Sequence, residues 1–376
     1  MSGKKFYELS RQERLDFLKN VAGIQDIESM LQPLPFDDAN RMVENAIGSI
    51  SIPMGIATNF VVNGKEILIP MAIEEPSVIA AASNAAKVAK VNGGFTAYAD
   101  EPMMIGQVQV VGISNPKVAA GKVMKNKKMI LAVANEKSRS VFAKDLQVRR
   151  VRDTSQNNMG DMLLVELLVD TMDAMGANVI NTMCEAIAPK VSEITGGEVV
   201  LKILSNYATK RLVRCKAVFF KDEIGGPKVV KRILYAYALA HSDVYRAVTH
   251  NKGVMNGIDA VALATGQDFR AIEAGAHAYA ARDGHYRSLT KWRKTKQGDI
   301  AGEIEIPLAV GTVGGITSSH PAVKMALQIM GVASARDLAM AMAAAGLAQN
   351  FAAIRALSDE GIQKGHMKLH ARKFGK

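Results

Sequence analysis

Four short polar clusters in this 376-residue chain combine residue types that can do acid–base, charge-stabilising or phosphate-binding chemistry. The first, PMAIEEPSVIAAAS, sets Glu74, Glu75 and Ser77 just ahead of an alanine-rich run. A carboxylate there is ordinarily a helix cap and by itself says little about catalysis. The second, DVYRAVTHNKGVMNGIDAVALATGQD, carries Arg246, His250, Asn251, Lys252, Asn256 and Asp268. So many hydrogen-bonding groups between apolar helices point to a lined pocket rather than a surface. The third, DAMGAN at 173–178, is a glycine-containing turn directly before a helix, and such a turn offers backbone N–H groups to a phosphate. It is not the GxGxxG dinucleotide fingerprint, so its specificity alone is low. The fourth, KGHMKLHAR, holds His366 and His370 four residues apart. No carboxylate neighbours complete a metal site there, and a basic solvent-facing tail is the plainer reading.

The elements that must position these groups follow from periodicity and punctuation. Residues 11–31 place Leu15, Leu18, Val21, Ile24 and Ile27 at helical spacing. NFVVNGKEILIP, 59–70, is a hairpin: two β-rich runs around Asn63-Gly64. Glu75-Pro76 then opens a helix with proline at its first position, running to about Val91 and closed by Gly93-Gly94. Next come a strand at Gly106–Gly112, a helix over 116–138 and a strand pair, Leu146–Arg152 with Met162–Asp170. A helix at Val179–Thr195 and a strand at Val199–Leu204 complete the order β-α-β-β-α-β, the ferredoxin-like arrangement. Beyond it the pattern is helical at 227–248, 268–282 and 321–357, interrupted by strands around Trp292 and Glu303–Pro307 and by VGTVGG at 310–315. The expected fold is α+β, a large helical α+β domain with a small ferredoxin-like domain inserted. Its boundaries are 1–105 and 207–362 for the large domain and 106–206 for the small one.

Composition narrows the function. Hydrophobic residues at 48% and charged residues at 22% describe a globular protein of two domains. No uninterrupted apolar run reaches the roughly 18–20 residues that span a bilayer, and the charged start lacks a secretory signal. Cys184 and Cys215 can form neither a disulfide framework nor a known metal motif, so a cytoplasmic protein is expected. The net charge is +11, and residues 117–152 hold most of the excess, with eleven Lys or Arg against Glu136 and Asp145. Such a patch is either a solvated face or a site for phosphorylated molecules. Aromatic residues are only 5%, with Phe142 alone inside the patch, which leaves single-stranded nucleic acid without stacking platforms. Dinucleotides and coenzyme A fit better.

In sequence order the clusters resemble one family. The motifs ENAIGSISIPMGIATNF, PMAIEEPSVIAAAS, NGGFTA, DAMGANVINTM, THNKGVMNGIDAVALATGQD, AGAHAYAARDGHY, VGTVGG and IQKGHMKLHAR are long and ungapped. Over essentially its whole length the chain resembles the class II 3-hydroxy-3-methylglutaryl-CoA (HMG-CoA) reductases. The resemblance implies reduction of HMG-CoA to mevalonate and CoA in two hydride transfers from NADPH or NADH, within the mevalonate route to isoprenoids. It assigns Glu75, Lys252, Asp268 and His366 as the catalytic set and no metal. Asp173, Ala174, Met175, Gly176, Ala177 and Asn178 become the cofactor loop of a small dinucleotide-binding domain. Ser77, Arg246 and Asn256 hold the carboxylate end and hydroxyl of the substrate on the large domain, and Asn206 contacts the polar centre. A homodimer or higher homo-oligomer is implied, with HMG-CoA on the large domain of one subunit and the dinucleotide on the small domain of the other. Neither nucleic acid nor membrane is an expected partner.

The chemistry agrees with those roles. Hydride attack on a thioester puts negative charge on the carbonyl oxygen, so a buried cation such as Lys252 is needed. Asp268 is expected to keep Lys252 charged and tie it to Glu75. Glu75, crowded by Asp268, would retain a proton and act as general acid. His366 would protonate the departing CoA thiolate. Relatives that prefer NADH carry an Asp shortly after an Ala-Asn pair on the first small-domain helix. The matching stretch here is Ala134–Arg139, with Ser138 at that position beside Lys137 and Arg139, which favours NADPH. Residues 363–376 would begin a C-terminal flap whose remainder this chain lacks. Three rival readings remain: the same enzyme oxidising mevalonate with NAD and CoA, a basic RNA-binding protein, and a catalytically silent dimeric binding protein.

Overall fold

A computed structural model of the chain describes residues 4–358. The described residues form two compact units, 4–99 with 213–306 and 312–358, and 100–212 with 307–311.

The first piece of unit 1 opens with α1 (Arg11–Ala22), α2 (Ile27–Met30) and α3 (Phe36–Met42). Ser10 caps α1 by accepting from the Glu13 N–H, Glu13 reaches back to the Ser10 N–H, and Gly23 ends the helix in the left-handed region at φ 65°. Leu15, Leu18, Ile24 and Ile27 are buried as their spacing predicts, whereas Val21 is exposed. The hairpin follows as β1 (Met54–Val62) and β2 (Lys65–Ala72), joined by Asn63 at φ 51° and Gly64 at φ 80°. Two successive positive φ angles make this the twisted two-residue turn that Asn-Gly favours. Then come α4 (Val78–Lys90) and β3 (Phe95–Ala99). Proline does not open α4: Glu75-Pro76 lie in a turn, and the residue before the helix is Ser77, in the left-handed region at φ 77°.

Unit 2 carries β4 (Met103–Val111), α5 (Pro116–Lys125), α6 (Lys127–Asn135), β5 (Phe142–Arg152), β6 (Asp161–Asp170), α7 (Ala177–Thr195) and β7 (Glu198–Ser205). Its four strands form one antiparallel sheet in the order β5-β6-β4-β7. Along β4 the residues alternate between buried and half-buried, and the buried face packs on α7. A Cβ at Gly106 would sit 2.6 Å from Cys184 Sγ and 2.7 Å from Ile180 Cγ2, so glycine is what lets α7 lie this close. The helix expected over 116–138 is two helices. Asn126 ends α5 by bonding the Lys122 carbonyl, and the second helix ends at Asn135, three residues short of the expected 138.

Unit 1 resumes with β8 (Leu212–Phe219), α8 (Lys221–Ile224), α9 (Pro227–Ser242), α10 (Val244–Ala264), α11 (Phe269–Ala280), β9 (Thr290–Lys294), β10 (Ile300–Pro307), α12 (Ile316–Ser319), α13 (Pro321–Met330) and α14 (Ala335–Ser358). Its six-stranded sheet runs β2-β1-β3-β8-β10-β9. The single helix expected over 227–248 stops at Ser242, where Asp243 starts a new one by accepting from the Arg246 N–H at 2.8 Å. Likewise 321–357 is broken by Gly331 at φ 59°. By length and composition α14 is apolar enough to cross a membrane, but 78% of its most apolar window is buried inside the protein. It is the central helix of unit 1.

Candidate active site

Helix α10 has two unlike faces, and that division sorts the polar cluster on it. Residues 250, 251, 254, 258 and 261 recur at helical spacing and are buried. On this side His250 Nε2 lies 2.7 Å from Thr290 Oγ1, and Asn350 Oδ1 accepts from both Thr290 Oγ1 at 2.9 Å and Trp292 Nε1 at 3.0 Å. Asn251 is equally internal, donating to the Arg287 carbonyl at 2.8 Å and accepting from the Leu289 N–H at 2.9 Å. Burial holds the His250 imidazole neutral, its pKa lowered to about 3 with the Arg246 charge adding to the effect. These two residues tie α10 to β9 and α14. Both are closed off from solvent.

The opposite stripe holds Lys252 and Asn256, two of the residues expected to do chemistry. Lys252 and Asn256 are one turn apart, so their side chains leave the same side of α10. Both meet Glu75, which the turn after β2 delivers: Lys252 Nζ is 2.7 Å from Glu75 Oε2, and Asn256 Nδ2 is 3.5 Å from the same oxygen. Lys252 is exposed and Glu75 half-buried, contrary to the buried cation expected, because residue 252 falls on the side of α10 away from α14. An ion pair this open contributes about 0–1 kcal/mol to stability. Its consequence is orientation: one ammonium, one amide and one carboxylate converge on a single point.

Ser77 stands two residues from Glu75 in a strained backbone conformation, with its Oγ buried and without a hydrogen-bond partner among the described residues. Left-handed geometry at a non-glycine residue costs on the order of 1–3 kcal/mol, and an unmet hydroxyl adds to it. Such a cost is tolerated where a ligand completes the bonding. Arg246 is half-buried, desolvation lowers its pKa, and it forms no ion pair with any described residue. A guanidinium in that condition has donors that a carboxylate could fill. Asp268 departs from expectation. It caps α11 by accepting from the Ala271 N–H at 3.1 Å and pairs with Arg270 at 3.1 Å, with no recorded contact to Lys252 or Glu75. Local N–H groups at a helix start satisfy a carboxylate without any longer reach. His366 lies outside the described residues.

In unit 2 the turn before α7 is built from residues 171–176. Met172 is left-handed at φ 53° and Gly176 at φ 94°, where a Cβ would meet Thr171 Cγ2 at 2.4 Å. Among the described residues no side chain caps the first turn of α7 and no acidic residue occupies it, which leaves its first N–H groups and dipole unmet. Beneath the turn is Arg211, only 4% exposed. It donates to Thr171 Oγ1 at 3.0 Å and to the Ala174 carbonyl at 3.2 Å, and also bonds the Val310 carbonyl. A Cβ at Gly311 would come within 2.7 Å of the Met175 nitrogen, so the start of VGTVGG seals the turn from below. Sequence reasoning missed Arg211, and an isolated arginine in TKRLVRCK carried no signal of burial. Ser138 is not on a helix: it follows α6 in a loop, where its Oγ accepts from the Ser140 and Val141 N–H groups at 3.3 and 3.0 Å. Arg139 beside it is exposed, and Asn206 is exposed in the turn after β7.

A family profile described as hydroxymethylglutaryl-coenzyme A reductase matches residues 10–371. The chain belongs to that family. It is 54% identical over 375 residues to a 3-hydroxy-3-methylglutaryl-coenzyme A reductase of Archaeoglobus fulgidus, covering 98% of this chain and 85% of that protein. A probable reductase of Borreliella burgdorferi is 37% identical, over 93% of this chain and 83% of the relative. Among solved structures, a class II HMG-CoA reductase from Streptococcus pneumoniae bound to NADPH in open conformations superposes with TM-score 0.90 at 40% identity, covering 95% of this chain and all of that one. A further pneumococcal structure gives TM-score 0.91, over 99% of this chain and 91% of the other. The matched region spans both units.

Proposed function

We propose that the chain reduces HMG-CoA to mevalonate and CoA in two successive hydride transfers, using NADPH. The observation that carries this reading is the convergence of Lys252, Asn256 and Glu75 on one point in a member of this family. The Lys252 ammonium faces the oxygen on which charge develops and stabilises it there. Asn256 supplies a second donor to the same region. Glu75, once protonated from solvent, passes that proton to the alkoxide formed when the aldehyde is reduced and returns to the carboxylate that pairs with Lys252. Arg246 takes the free carboxylate of the substrate and Ser77 a hydroxyl. Asp268, at the start of α11, is assigned as the carboxylate that supports Lys252 once substrate is bound. His366 is assigned to protonate the CoA thiolate.

The dinucleotide supplies the hydride when bound. Residues Asp173–Asn178 hold its phosphates, with the uncapped N–H groups of α7 as donors and Arg211 fixing the turn from beneath. Preference for NADPH is supported by the NADPH-bound pneumococcal relative. It is supported also by Ser138 between Lys137 and Arg139, both exposed and without an ion pair among the described residues. We read unit 2 as a ferredoxin-like dinucleotide domain within a large substrate domain, which the strand order β5-β6-β4-β7 supports. A cytoplasmic location is supported by two buried free cysteines. A homodimer is supported by Ile47 and Ile50, 100% and 93% exposed in an extended segment. We infer no nucleic-acid or membrane partner, given the sparse aromatics and the buried α14.

The test is to mix purified protein with HMG-CoA and NADPH and measure free CoA thiol. Thiol release that requires both reagents is expected. Its absence, alongside NADH formation from mevalonate, CoA and NAD, would favour the oxidative direction instead.

A further inference from the structure

Residues 136–141, between α6 and β5, carry the two cations assigned to NADPH preference, and a side chain with no role so far closes this loop. Asn135 is the last residue of α6 and is half-buried. Its Nδ2 donates to the Ala143 carbonyl at 3.1 Å, and its Oδ1 accepts from the Ala143 N–H at 2.7 Å. Because β5 is an edge strand of its sheet, the amide takes the place that a further strand would fill. Both ends of the loop are anchored as well, by Ala134 at 0% exposed and by the buried Val141.

Within this frame the Ser138 hydroxyl is engaged by the loop itself, accepting from the Ser140 and Val141 N–H groups at 3.3 and 3.0 Å. Lys137 and Arg139 are left on the outside, exposed and without an ion pair among the described residues. The loop also stands beside the cofactor turn. Phe142, where β5 begins, pairs with Asp170 at the end of β6. Asp170 Oδ1 in turn accepts from the Met172 N–H at 3.0 Å, inside the turn of residues 171–176. Paired strands run about 4.8 Å apart, so a dinucleotide held at that turn by its pyrophosphate has the loop as its neighbour.

We propose that Asn135 is a positioning residue for coenzyme choice: by pinning the loop to β5 it holds Lys137 and Arg139 where the 2′-phosphate of NADPH arrives. NADH carries a hydroxyl at that position and gains little from two cations. Without the amide the loop moves freely, and two long side chains must then be ordered afresh around the phosphate when it binds. The proposal rests on the reading of this loop as the part of unit 2 that favours NADPH.

The experiment measures kcat and KM for NADPH and for NADH, at saturating HMG-CoA, in four proteins: wild type, Asn135→Ala, the pair Lys137→Ala with Arg139→Ala, and all three together. Asn135→Ala is expected to raise KM for NADPH by about tenfold, with kcat within about threefold and the NADH constants within about twofold of wild type. The pair should lose NADPH preference by about tenfold or more, and adding Asn135→Ala to it should cost less than about twofold further, since the amide acts only through the two cations. Ser138→Ala loosens the same loop without touching α6 and should shift the NADPH-to-NADH ratio in the same direction. If Asn135→Ala does not fold, that variant decides the question, and an unmoved ratio in it would overturn the clamp. Equal loss on both coenzymes from Asn135→Ala, or a full further loss in the background of the pair, would also overturn it while leaving the loop's preference for NADPH intact. If the pair itself keeps the wild-type preference, the cations do not read the phosphate, and the preference reading falls together with the clamp.

Discussion

The Lys252–Glu75 contact, to which we assign the reaction, shows how little such a pair need contribute to folding. Both partners are partly open to solvent, so their attraction is screened and contributes about 0–1 kcal/mol to stability. In the proposed reaction the same ammonium, once substrate covers it, is worth far more against a developing oxyanion. Lys252→Ala is therefore expected to leave the unfolding temperature nearly unchanged while kcat falls by about 10²–10³, or roughly 3–4 kcal/mol of transition-state stabilisation. Paired unfolding and kinetic measurements check this, and a variant with more than about a tenth of wild-type kcat would contradict the assignment. At this scale the sequence was legible in residue type and partly in geometry. Glu75 and Lys252 meet, although nothing in their spacing requires it; the motif resemblance grouped those two, whereas Asn256 was expected among the substrate-holding residues and its approach to Glu75 was not foreseen. Asp268 illustrates the limit, since a carboxylate two residues before an arginine and three before a helical N–H has local partners that a motif does not display.

The helices are positioned by small residues that allow backbones to touch. A Cβ at Gly257 of α10 would lie 2.6 Å from the Ala345 carbonyl oxygen and 2.9 Å from its carbon, and a backbone cannot swing away as a side chain can. Gly346 of α14 returns the approach, lying against Ile258 and Val254. Gly257→Ala is thus expected to destabilise the protein by about 1–3 kcal/mol despite its better helix propensity, a change that denaturant unfolding would register. A neutral or stabilising result would mean that the two helices part without cost. Element type was readable almost throughout, because strand alternation and helical spacing are local. Breaks were harder. Asn126, Asp243 and Gly331 divide runs that look continuous in composition, and each divides by a hydrogen bond or a left-handed turn rather than by proline. Proline misled in the other direction at Pro76, where the strained Ser77 takes the place of a regular cap.

Across the whole molecule, the polar knot of His250, Thr290, Trp292 and Asn350 joins α10, β9 and α14 within the apolar core of unit 1. His250 was legible only as one more polar residue in a rich cluster, since its burial depends on α14, which comes about a hundred residues later. Its pKa is lowered to about 3 from an ordinary 6.5, so the unfolded chain binds a proton that the folded one refuses. The sign follows: the contribution is fully present above about pH 6.5 and is lost as the pH falls toward about 3. Stability of wild type should drop between neutral pH and about pH 4 more steeply than that of His250→Gln, and equal slopes would contradict a neutral buried imidazole.

The central claim is that one site carries both reductions. It is tested most directly by the stoichiometry of a completed reaction with limiting HMG-CoA: NADPH oxidised, CoA released and mevalonate formed, all measured on the same sample. The account predicts two NADPH consumed for each CoA and each mevalonate, with no aldehyde accumulating. One NADPH per CoA, with the aldehyde as end product, would show that Lys252 and Glu75 serve only the first transfer and would contradict it.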